Sequence, residues 1–106
     1  MSRYYLLDEQ HRLVPCASLT EWAKAFEDDE KRRVALTEFD GGRVSTVFLG
    51  LDHRFGGDGP PVVFETMIFG GPHDEYQERY STWEEAVEGH RMAVELATTK
   101  QTEGVE

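Results

Sequence analysis

Four ionisable residues stand at positions where their neighbours are apolar or turn-forming. Asp52 and His53 follow the apolar run VSTVFLGL, Glu65 interrupts VVFETMIF, and His90 falls within AVEGHRMAVELA. A carboxylate among apolar residues must find a partner or shift its pKa upward, so Glu65 is a candidate for binding or acid–base work. The plainer account is a structural ion pair or a strand face open to solvent, with Arg43, Arg54, Arg79, Arg91, His53 and His90 as candidate partners. A histidine in a helix's apolar stripe serves as a ligand, as an acid–base group, or simply as a paired core residue. Asp52 and His53 stand at a strand end that leads into a loop, where functional side chains often sit. Asp52 would equally serve by bonding loop amides, and adjacent strand residues point to opposite faces. Phe55, in the loop DHRFGGDGPP, is either tucked onto the sheet or an apolar anchor for a partner.

Asp52, His53, Glu65 and His90 together offer the oxygen and nitrogen donors of a metal site. No short-range ligand spacing binds them together, and four unrelated residues is the competing reading, so no metal and no cofactor is assigned. Phosphate-binding loops, dinucleotide fingerprints, nucleophile elbows and zinc-ligand spacings are all lacking in the sequence. The glycine-rich GGDG is followed by Pro60-Pro61 and a strand rather than by a helix start, which argues against a phosphate cradle.

The elements that must position these residues are legible from periodicity. Tyr4 to Leu7 and Leu13 to Ala17 read as two strands, the second at an edge because Pro15 cannot donate to a ladder. SLTEWAKAFEDD reads as a helix, capped by Ser18 with Glu21 and striped by Leu19, Trp22 and Phe26. Asp40-Gly41 predicts a two-residue hairpin turn with Glu38 facing Arg43. Val44 to Leu51 and Val62 to Phe69 are apolar on both faces, as central strands are, and Gly70-Gly71-Pro72 ends the second. HDEYQERY reads as a polar connector. Thr82 and Glu85 then open a helix whose inward face is Trp83, Ala86, Val87, His90, Val94 and Ala97. The expected order is ββαβββα: one α+β domain over residues 1–98, with a mostly antiparallel sheet of about five strands, two helices on one face, and a disordered tail at 99–106.

Composition narrows the function class. The chain has 106 residues, which is one domain, and a formal net charge of −10 from 21 acidic and 11 basic residues. Direct contact with nucleic-acid backbone is disfavoured, since that depends on clustered Lys and Arg. The single compact basic run, Lys31-Arg32-Arg33, follows the acidic run Glu27 to Glu30 and reads as a solvated helix end. Cys16 is the one cysteine, expected as a small buried residue in a reducing cytoplasm. MSRYYLLDEQH lacks a signal-peptide apolar region, and no window reaches the length of a membrane span, so no membrane association is expected.

The strings VSTVFLGLDHRFG, FETMIFGG and RYSTWEEAVEGH resemble a family of small uncharacterised proteins from phage, prophage and bacterial genomes. The resemblance runs from YYLLD through the last helix. It implies a compact cytoplasmic protein and carries over no catalytic residue. Two functions are compatible with these observations. The first is a non-enzymatic acidic module, a homodimer by strand pairing in one form, that binds a host or phage protein. The alternative is a small-molecule or metal site around Glu65, His90 and the Asp52–His53 loop, which requires those groups to converge.

Overall fold

The computed structural model describes residues 3–27, 29–54 and 59–99. Phe55 and the expected tail from residue 100 onward lie outside these.

The chain opens with a short antiparallel pair, β1 (Tyr5–Leu7) and β2 (Leu13–Pro15). Asp8 closes the connection, its Oδ1 accepting from the amides of Gln10 and Arg12 at 2.9 Å each. The helix α1 (Leu19–Ala25) follows, with the Ser18 hydroxyl accepting from the Glu21 amide at 3.2 Å. The acidic-to-basic run then forms a four-residue helix, α2 (Asp29–Arg32).

Four strands build the main sheet: β3 (Arg33–Phe39), β4 (Gly42–Phe48), β5 (Phe64–Phe69) and β6 (Gln77–Tyr80). They are antiparallel neighbours in sequence order, β3-β4-β5-β6. Asp40-Gly41 makes the β3–β4 turn as expected. Gly41 takes a φ of 107°, which an L side chain resists, and Glu38 pairs with Arg43 across it. The chain closes with α3 (Trp83–Thr98), opened by a full capping box between Thr82 and Glu85.

The expected architecture holds as α+β, with differences in detail. Among the described residues the strands divide into sheets of two and four rather than one of about five, and there are three helices rather than two. The expected connector HDEYQERY contributes β6. Its residues alternate polar and aromatic too weakly to read as a strand alone, and pairing with β5 decides the matter. On α3 the buried positions are Ala86, Gly89, His90 and Ala93, whereas Val87 is exposed.

Register places Val44 beside Ile68, Thr46 beside Thr66 and Phe48 beside Phe64, all on the face that α3 covers. The interior is therefore layered. Phe48, Val63, Phe64 and Ala86 form one apolar cluster, joined by Leu7, Phe26 and Trp83. Val44, Ile68 and Ala93 form a second, joined by Phe39 and Tyr76. Full burial of side chains such as Phe64, Ile68 and Val44 contributes about 1.5–3 kcal/mol each. Between the clusters, at the middle position of each contributing element, stand Thr46, Thr66 and His90.

Contacts between aromatic rings tie the small sheet and α1 to this core. Trp22 stacks on Phe26 at 4.5 Å, Phe26 meets Phe48 at 5.8 Å, and Phe48 meets Phe64 at 5.2 Å. The Trp22 indole donates to the Gly50 carbonyl at 3.0 Å. Cys16 is buried and in no disulfide, its Sγ donating to the Ser18 carbonyl at 3.3 Å.

Candidate functional site

The polar layer accounts for His90. Its Nε2 lies 2.9 Å from the Thr37 hydroxyl and its Nδ1 lies 2.7 Å from the Thr46 hydroxyl, which in turn lies 2.5 Å from the Thr66 hydroxyl. A neutral imidazole has one donor and one acceptor, and a file of hydroxyls that each donate and accept satisfies either tautomer. Both ring nitrogens are therefore occupied, and neither is available to an outside ligand. With 7% of its surface exposed, the ring is desolvated, and burial pushes its pKa below the usual histidine value. It is neutral at pH 7.

The file ends at Tyr80. Its phenol is buried, which pushes its pKa up; the neighbouring Thr66 hydroxyl pulls partly the other way but does not lie in hydrogen-bond geometry. Above it sits Gly89. A Cβ there would come within 2.1 Å of the Tyr80 hydroxyl, so glycine is what lets α3 approach β6 this closely.

Glu65 occupies the opposite face of the sheet. Adjacent strand residues alternate, and Thr66 faces α3, so Glu65 faces away from it. Its carboxylate accepts from Arg79 Nε at 3.0 Å and from the Gln77 side-chain Nε2. This is a cross-strand structural pair, one of the partners expected from the sequence.

Asp52 is spent on the loop it opens. Its Oδ1 accepts from the amides of Arg54 and Val62, both at 2.9 Å, and its Oδ2 lies 3.4 Å from the Arg54 guanidinium. Desolvation pushes its carboxyl up, but the two amides and the Arg54 charge outweigh that and hold it below the ordinary carboxylate value. The His53 amide donates to the Val62 carbonyl at 2.8 Å, closing the same loop neck.

Glu65 and His90 thus lie on opposite faces of one sheet, each with its hydrogen-bonding groups engaged, and Asp52 holds a loop neck beyond the end of β4. The convergence required of a small-molecule or metal site is not formed. Among the described residues, no group of three or more His, Cys, Asp or Glu side chains is placed to hold a metal ion.

What remains open is the sheet itself. Opposite α3 it presents Leu36, Val47, Met67 and Phe69 among Arg43, Ser45, Glu65 and Arg79, with Arg43 lying 4.8 Å over the Phe69 ring. Leu36 and Phe69 are exposed. On the α3 side, a groove of about 510 Å³ runs between β6 and the helix, lined by Arg79, Tyr80, Glu84, Glu85, Glu88, Gly89 and Met92. The sequence carries no clear signal for this groove, because its β6 wall is specified by pairing with β5 rather than by its own pattern. No family model, curated protein or solved structure matches the chain.

Proposed function

We propose that this chain is a non-enzymatic, acidic interaction module that binds another protein. The observation that carries the reading is the incomplete cover of the four-stranded sheet. One helix packs on one face, the opposite face shows exposed Leu36 and Phe69, and among the described residues no strand lies beyond β3 or β6. Among the candidates for chemistry, Asp52, Glu65 and His90 are engaged instead in the fold. A net charge of −10 favours a partner with a basic surface, through faster encounter at low salt.

No described helix is long and apolar enough to cross a membrane. We place the protein in the cytoplasm of a bacterial or phage-infected cell, a reading supported by the presence of a single cysteine, buried and in no disulfide, and by the resemblance of its sequence strings. Self-association through an open edge is the homodimeric form of the same reading. Affinity capture of the tagged protein from bacterial lysate, repeated over a salt series, tests it. A specific partner is expected at low salt, released as salt rises. No specific partner at any salt overturns the proposal.

A further inference from the structure

The interaction reading leaves open which surface is used and what it takes. We propose that the groove between β6 and α3 takes an extended, lysine- or arginine-bearing segment of a partner protein, which adds to the sheet as a strand beside β6. This rests on the interaction reading and narrows it to one edge.

Strand pairing supplies the first part of the argument. The Tyr76 carbonyl accepts from Ile68 at 3.1 Å and the Tyr80 carbonyl accepts from Val63 at 3.0 Å, so these residues turn their backbone groups toward β5. Alternation turns those of Gln77 and Arg79 the other way, toward the open edge. A strand laid there would form up to about four backbone hydrogen bonds over the roughly 13 Å that four residues span. The groove beside it, at about 510 Å³, falls in the ordinary range for ligand clefts.

Charge supplies the second part. The helix wall carries Glu84, Glu85 and Glu88, all exposed, and Glu78 stands on the α3 side of β6 itself. The cation of Arg79 does not offset them, because its guanidinium is drawn to Glu65 on the far face. Glu85 is engaged in the capping box and Glu88 with Arg91, while Glu84 has no ion pair among the described residues. Met92, 55% exposed, and Tyr80 give the groove an apolar end. A strand beside β6 points alternate side chains at this wall, so a basic residue at every second position is the matching pattern.

The test uses the full chain and a fluorescein-labelled peptide of alternating lysine and threonine, followed by anisotropy, with amide hydrogen exchange read by NMR. Binding at low salt is expected, weakened as salt rises, with new protection of the Gln77 and Arg79 amides. The double variant Glu84→Gln/Glu88→Gln, which touches no buried group, is expected to bind about tenfold more weakly. Leu19→Ser, an exposed position on α1 that does not line the groove, should bind as the parent does. A peptide N-methylated at alternate positions should lose binding, because it cannot complete the ladder. No binding at low salt, undiminished binding by the double variant, or binding without protection at Gln77 and Arg79 each overturns the inference. Concentration-dependent protection of the same amides without peptide also overturns it, by naming a second copy as occupant. A partner captured from lysate equally well by the double variant would refute the groove while leaving the interaction reading in place.

Discussion

Replacing Gly89 with alanine tests the closest approach in the fold. In an open helix the change stabilises by about 1 kcal/mol, because glycine loses more backbone freedom on folding. Here the new Cβ would stand 2.1 Å from the Tyr80 hydroxyl, 2.2 Å from Cζ and 2.4 Å from Cε1. Ordinary carbon contacts are about 3.5–4.0 Å, so α3 must lift off β6 or the phenol must leave its place. Overpacking of this kind costs about 1–3 kcal/mol, which outweighs the propensity gain at all but the low end. The difference runs from zero to about 2 kcal/mol, and contacts as short as 2.1 Å put the expected loss in its upper half, about 1–2 kcal/mol, read as a lower midpoint in urea with an unchanged slope. Tyr80→Phe should not rescue it, since the Cζ contact remains. Tyr80→Leu should, giving a favourable coupling in the double-mutant cycle. A Gly89→Ala protein as stable as its parent or more so would show that α3 does not rest on Tyr80, and the layered interior described above would be wrong.

Further predictions concern the polar groups. Thr46→Val keeps shape but strips His90 Nδ1 and the Thr66 hydroxyl of their shared partner, so a loss of about 1–3 kcal/mol is expected in chemical denaturation. His90 has its pKa lowered by burial in the folded state, so the unfolded chain takes up that proton first as pH falls. The stabilisation is whole above the usual value of 6.5 and is lost as pH drops from there toward the folded value, a decline that a denaturation series across this window should show and that His90→Gln should lack. Asp52, with its folded pKa lowered, contributes stability that is present above 3.8 and lost as pH falls through the lower folded value. Asp52→Ala should cost about 1–2 kcal/mol by removing the acceptor of the Arg54 and Val62 amides, again read from the denaturation midpoint. Glu65→Gln retains an acceptor for Arg79 in a partly exposed pair and should change stability by less than about 1 kcal/mol, read from the denaturation midpoint.

Local chemistry made much of the fold legible in the sequence. Asp40-Gly41 has one good use, and Thr82 with Glu85 marks a helix start through a mechanism confined to four residues. Face parity was harder. Val44 to Leu51 and Val62 to Phe69 are apolar on both faces, so nothing local told which of Glu65 and Thr66 would face the helix. The polar layer was invisible for a related reason. Thr37, Thr46, Thr66 and His90 are far apart in sequence, and only strand register and the seating of α3 bring them into one plane. β6 escaped because a four-residue strand of Gln, Glu, Arg and Tyr is specified by its neighbour rather than by its own propensity. The short helix α2 lies in the charge run read as a solvated helix end, and nothing in that run marks it off as a separate helix.

Hydrogen exchange on the complex of this protein with its captured partner bears most directly on the interaction account. The account predicts protection gained along the open sheet, at the Gln77 and Arg79 amides of β6 or on the face carrying Leu36 and Phe69. Protection confined to the Asp52–His53 loop neck, with the sheet edges and open face unchanged, would contradict it.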